Sequence, residues 1–306
     1  MIQPSLHNFI QKESPEVSSS RMGSMEGEVL APKGVAVDKY TDNIYVADEG
    51  NNRIQMFDRL GDYQFSFARY SSRSMPYGIK VLEGLVFVTQ YSGRTVCIYT
   101  TEGDFVSNTV YSSLFWPTGV EVEITPEGDL CLYVCSSATS CIFVLSNNGN
   151  RVMEGTTRGQ FIQPKDVKVL QDKLFILDLR DPCLHVFSLE GVYQRSMISN
   201  GISRDVAGPL FFCVDESGFL IIGDNQSSSV KAFSLDGTLL HEVGVHSRDS
   251  GRFVRSSSLM SHLVHFGMSS RVSREGLVKT PRGVALDSKQ RLVVIGLMKQ
   301  GCLQIF

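Results

Sequence analysis

The 306-residue sequence predicts an all-β chain folded as a six-bladed β-propeller, with four antiparallel strands in each blade. A proline precedes a short apolar run at Pro32, Pro76, Pro117, Pro164, Pro209 and Pro281, at intervals of 44, 41, 47, 45 and 72 residues. Each proline opens three apolar runs bounded by Asp, Asn and Gly, the mark of short strands joined by tight turns. A repeat in the forties with four strands per unit is the period of propeller blades.

Unit one sets the template: Pro32 to Asp38, Asn43 to Asp48, Asn51 to Asp58, then Gly61 and a closing run from Tyr63 to Phe67. Unit two has Tyr77-Gly78-Ile79, Leu85 to Val88, Thr95 to Tyr99 and Gly103. Unit three has Thr118-Gly119-Val120, Leu132 to Cys135, Cys141 to Leu145 and Gly149. Unit four keeps Asp178 at the end of its second run, and unit five keeps Asp224. The glycine after the proline lets backbones approach at the crowded axis, and the later one supplies positive φ for a turn. Unit six ends on its third run, Cys302 to Phe306, so an N-terminal segment is expected to supply the fourth strand and close the ring. Residues 18–23 fit the usual offset, and residues 6–10 are the more apolar candidate. Closure removes an exposed sheet edge.

Residues 1–306 read as one propeller domain, with residues 1–17 expected to lack fixed structure. The last interval is long because residues 245–279 form a Ser/Arg-rich insertion carrying Arg248, Arg252, Arg255, Arg271 and Arg274. Its composition reads as a flexible loop. Hydrophobic content of 42% and charged content of 20% are those of a globular chain with a sizeable core. A net charge of −3 argues against whole-surface attraction to nucleic acid or anionic lipid. No apolar run is long enough to span a bilayer, and the N-terminus lacks a signal-peptide core. Most of the seven cysteines fall inside apolar runs, reading as buried free thiols in a reducing, cytoplasmic setting.

With Pro-x-Gly-Val-Ala-Val-Asp followed by Ile-Tyr-Val-Ala-Asp-x-x-Asn-x-Arg-Ile-Gln-x-Phe, unit one resembles the NHL-repeat family of six-bladed propellers. The other units keep the apolar skeleton and lose most polar positions. Unit two has Gln90 and Arg94 where Asp48 and Arg53 are read to stand. The resemblance implies a binding module like the NHL domain that ends tripartite-motif ubiquitin ligases, recognising proteins or RNA; it extends to stand-alone members and a distant metal-dependent lyase. No Cys-x-x-Cys pair suggests a RING or B-box within these residues.

Asp48, Asn51 and Arg53 read as repeat architecture, with Arg53 expected to pair with a carboxylate on a neighbouring blade. The histidines do not form a convincing metal set: His262 and His265 lie in the insertion, with His241 and His246 upstream. No hydrolase or phosphate-loop motif appears, so no catalytic residue, cofactor or metal is assigned. Propeller geometry puts the loops leading into first strands on one face with those joining second and third strands. That face would carry Lys33, Tyr77, Tyr91, Arg94, Trp116, Lys165, Arg180 and Arg282. Cations among aromatics suit a protein partner or single-stranded RNA. Net charge favours protein, with no DNA or membrane expected; a metal-dependent lyase or hydrolase is the second alternative.

Overall fold

The computed structural model describes residues 17–19, 21–68, 74–146, 151–154, 162–180, 183–197, 209–215, 218–225, 227–244, 280–289, 291–296 and 303–305. Residues 1–16 and 245–279, including the expected insertion and the second closure candidate, lie outside them.

Six four-stranded antiparallel sheets follow one another along the chain. Blade 1 comprises Val35–Val37, Ile44–Asp48, Arg53–Phe57 and Tyr63–Phe67. Blade 2 comprises Pro76–Leu82, Leu85–Gln90, Thr95–Thr100 and Phe105–Val110. Blade 3 comprises Pro117–Ile124, Leu130–Ser136, Cys141–Ser146 and Arg151–Glu154. Blade 4 comprises Pro164–Leu170, Lys173–Asp178, Leu184–Ser188 and Tyr193–Met197. Blade 5 comprises Pro209–Val214, Leu220–Asp224, Ser229–Phe233 and Leu239–Gly244. Blade 6 takes Pro281–Leu286, Leu292–Gly296 and Leu303–Ile305 from the C-terminal part, and Val17–Ser19 from the N-terminal part.

That last strand closes the ring. Val17, Ser18 and Ser19 pair antiparallel with Ile305, Gln304 and Leu303, beginning one residue before the span that the repeat offset suggests. Leu303 and Ile305 are fully buried between blades 6 and 1 with Val35, Val46 and Phe57. A sheet in this position is apolar on both faces because each blade is packed by a neighbour on either side. The second and third strands are accordingly buried almost throughout. The apolar clusters repeat this logic around the ring, each joining two adjacent blades: Tyr45 and Ile54 with Ile79 and Val88, Phe87 with Phe143, Ile142 with Phe187, Phe175 with Phe212, and Ile221 with Val294. Cys97, Cys131, Cys135, Cys141, Cys183 and Cys213 are buried, and all but Cys183 belong to these layers.

At the axis the first strands nearly touch. A Cβ on Gly34 would lie 2.8 Å from the Tyr77 carbonyl oxygen, and one on Gly78 would lie 2.1 Å from that of Thr118. The Gly34 amide donates to that Tyr77 oxygen over 2.9 Å, stitching blade 1 to blade 2. Among the described residues no helix is long and apolar enough to cross a membrane.

Removing residues 1–24 would uncover Leu303 and Ile305 and open an unpaired edge. The expected result is a stability loss on the order of 3 kcal/mol or more, with concentration-dependent aggregation. Urea titration and light scattering against the full chain would check both; unchanged values would contradict closure by residues 17–19.

Candidate functional site

Asp48, Asn51 and Arg53 form a buried polar knot. The Asp48 carboxylate is inaccessible and accepts from the Leu30 amide (2.7 Å), Asn51 Nδ2 (2.8 Å), Arg53 Nε (2.9 Å) and Gln55 Nε2 (2.9 Å). Arg53 Nη2 also donates to the carbonyls of Met25 (2.6 Å) and Glu28 (2.7 Å), and Asn51 Nδ2 to that of Gly23. The expectation that Arg53 reaches a carboxylate on a neighbouring blade is therefore corrected. Its partner is Asp48 on its own sheet, and its remaining donors hold the segment crossing from the closing strand to blade 1.

Worn copies of this knot recur elsewhere. Asp178 accepts from the amides of Ile162 (2.7 Å), Gln163 and Arg180. Asp224 pairs with Lys231 Nζ at 2.9 Å, a cation two residues further along the third strand than the arginine position. Period-two alternation keeps both positions on the same sheet face. The alignment of Arg94 with Arg53 is also corrected. Gln90 pairs with Thr95 as Asp48 pairs with Arg53, so Arg94 matches Asn52, and both have left-handed φ of 53°.

The channel mouth is built by the positions just after each proline. Tyr77 stands at its centre, buried. Its ring meets Phe211 of blade 5 at 5.7 Å and stacks on Tyr91 at 5.3 Å; Tyr91 stacks in turn on Trp116 at 5.8 Å and 13°. Blades 2 and 5 are opposite in a six-fold ring, so the Tyr77–Phe211 contact crosses the axis. The ladder runs outward from there to Trp116, which is 50% exposed. Trp116 has φ of 48°, but Ala31, Met75 and Thr280 share left-handed φ immediately before their prolines. The strained backbone is thus blade architecture, whereas the exposed indole is particular to blade 3. Beside it the Arg94 guanidinium lies 3.9 Å from the Phe115 ring centroid.

Lys33 Nζ and Lys165 Nζ lie 5.3 and 5.6 Å from the Tyr77 centroid, approaching from opposite blades. Burial, then the Arg282 charge, lowers the Lys33 pKa, with Glu49 opposing. Burial, then the Lys33 charge, brings Lys165 down to about 8. Arg282 is half-buried, and its Nε is inaccessible without a hydrogen-bond partner. Six of the eight expected face residues therefore gather into a ladder and a cation group, and Arg94 packs on Phe115 next to Trp116 in the chain. Arg180 is exposed nearby, and among the described residues no side-chain contact joins it to them.

Sequence reasoning missed Phe211 and a second tier three residues further along the first strands. Glu121 pairs with Lys80 and lies 3.7 Å from Lys168, which lies 3.1 Å from Asp166. Asp166 also accepts from the Phe212 amide at 3.1 Å, and burial pushes its carboxyl up to about 6. Among the described residues no group of three or more His, Cys, Asp or Glu is placed to hold a metal ion.

Asp48→Ala strands a buried Arg53 and is expected to cost about 3–5 kcal/mol. Asp48→Ala with Arg53→Met should cost clearly less than the sum of the single changes in a urea double-mutant cycle. Lys165 binds fewer protons folded than unfolded between pH 8 and 10.5, so its contribution to stability rises with pH across that window. Lys165→Met should therefore stabilise the chain at pH 7, by up to about 3 kcal/mol, and the gain should shrink towards pH 10. A gain independent of pH would reject this assignment.

The NHL repeat family model matches residues 31–57, the lead-in and first three strands of blade 1. Protein brain tumor of Drosophila melanogaster is 35% identical over 135 residues, which are 42% of this chain and 12% of that protein. The chain thus spans a small part of that relative. Among solved structures, a luciferin-regenerating enzyme superposes with a TM-score of 0.64 at 12% identity, covering 95% of this chain and 94% of its own. XC5397 from Xanthomonas campestris, a gluconolactonase, gives 0.63 at 12% identity over 96% and 97%. At that identity the likeness shows the fold alone. The chain is thus a six-bladed β-propeller that carries an NHL repeat in blade 1 and is similar over part of its length to an NHL-containing relative.

Proposed function

We propose that the chain is a non-enzymatic interaction module whose channel-mouth face receives a protein partner. The observation that carries this reading is the aromatic ladder ending in half-exposed Trp116, flanked by Arg94 and backed by Lys33, Lys165 and Arg282. Tryptophan, tyrosine and arginine held rigid by their own packing are the usual anchors of protein interfaces. As the family resemblance implies, such recognition would serve substrate choice in ubiquitination when joined to a ligase.

RNA is the second reading, because cations and aromatics on one face also suit single strands. The ladder's geometry weighs against it. Tyr91 already has a ring stacked on either side, so successive bases find few free aromatic faces. For enzymatic chemistry, the first-strand carboxylates of the inner tier, Glu121 and Asp166, are both engaged by lysines, which supports the binding reading over a lyase or hydrolase.

Affinity capture from native lysate is the test. Trp116→Ala with Arg94→Glu is expected to lose proteins that wild type retains, whereas Tyr40→Ala, 65% exposed on the opposite face, should keep them. Anisotropy with an oligouridylate at 50 and 200 mM salt separates the RNA reading: phosphate-driven binding would fall steeply with salt. Equal capture by all variants would place the interface elsewhere.

A further inference from the structure

The two charged tiers of the channel differ in one respect. In the inner tier, two lysines and two carboxylates neutralise one another: Lys80 with Glu121, and Lys168 with both Glu121 and Asp166. In the tier at the mouth, Lys33, Lys165 and Arg282 converge without any carboxylate at ion-pair distance among the described residues. Lys165 is only 5% exposed. A buried ammonium ordinarily has a partner, since isolating it costs several kcal/mol. Arg282 adds a second unmet demand through its inaccessible, unpartnered Nε.

We propose that the channel mouth is a docking site for one phosphate monoester, borne on a phosphorylated side chain of the protein partner and held by Lys33, Lys165 and Arg282. This deepens the reading of the face as a protein-binding surface and rests on it. The ligand class follows from charge and shape. Three cations outnumber the two bordering carboxylates, Glu49 and Asp178, and leave a local positive excess for an anion; a phosphate monoester brings about −1.5 to −2 at neutral pH. A carboxylate has only two oxygens to offer three cations, whereas a phosphate has three. The cations come from blades 1, 4 and 6 and surround the Tyr77 ring, so they grip a single compact group, with the Tyr77–Phe211 contact as its floor. A polyanion would need a basic track leading away, whereas Glu49 and Asp178 border the site. Arginine and lysine donors suit the three oxygens of a phosphate group.

The test uses the full chain with inorganic phosphate, a phosphoserine peptide, its unphosphorylated counterpart and a 5′-hydroxyl oligouridylate. Phosphate at constant ionic strength should raise the melting temperature more than chloride, and calorimetry should show the phosphopeptide binding at least tenfold more tightly than its counterpart. Lys165→Met and Arg282→Gln should each weaken it at least tenfold, with Lys39→Gln on the opposite face unchanged. Between pH 7 and 9 affinity should fall as Lys165 loses its proton. The groups facing it are Lys33, Arg282, Glu49, Asp178, the Tyr77 hydroxyl and the Cys135 thiol; burial pushes the last two up, and Lys33, also lowered, adds to the same trend. Equal binding of both peptides, or no loss in Lys165→Met and Arg282→Gln, overturns the proposal. Tighter binding of the oligouridylate than of the phosphopeptide overturns it in favour of RNA. Should phosphate fail while Trp116→Ala with Arg94→Glu still loses captured proteins, the face reading stands and only the phosphate site falls. Should phosphate bind while that variant loses nothing, the site exists and the face reading falls.

Discussion

Everything in this molecule depends on closing a ring of sheets whose faces are apolar on both sides. A single four-stranded blade cannot bury its second and third strands by itself, so each relies on the next, and the last relies on the first. The circle closes through three backbone pairings, Val17 with Ile305 to Ser19 with Leu303. The Asp48 knot serves that closure: its donors seize the carbonyls of Gly23, Met25 and Glu28, on the crossing segment between the closing strand and blade 1. The segment it holds follows directly on the strand that pairs with the C-terminal part of the last sheet.

Closure in turn fixes six first strands around one axis, close enough that glycine is required at Gly34 and Gly78. Where the repeat forgoes glycine, in blades 4 and 5, Asp166 and Phe211 put side chains into the channel instead. Each then acts across blades: Asp166 accepts the Phe212 amide, and Phe211 meets Tyr77 across the axis. The inner tier carries balanced charges, as a buried position demands. The mouth carries unbalanced ones, and that imbalance is the feature least expected from stability alone.

The ring, its blade boundaries and its closure were legible because spacing and apolar patterning are local signals, and the prolines repeat. The face was legible from topology, which sorts loops to one side or the other whatever their sequence. Register was not. Arg94 looked like the partner of Gln90 by proximity, whereas the turn places Thr95 there, and a shift of one residue moves a side chain to the other face of the sheet. The Phe211 contact and the Lys80–Glu121–Lys168 links were hidden because they join residues 41 to 134 positions apart in the chain. A signal existed nonetheless: the two units lacking glycine after the residue that follows proline, and charged residues four positions beyond Pro76, Pro117 and Pro164.

The composite blade also sets how the module is tethered. Its third strand runs away from the channel mouth, and Val17 pairs with Ile305 at the strand's far end. Val17 and Ile305 therefore lie on the side opposite Trp116. A neighbouring domain attached at either point would hold the propeller from behind, leaving the ladder unobstructed and pointing outward. Linker length on that side would then set how far the ladder reaches, without altering the ladder itself.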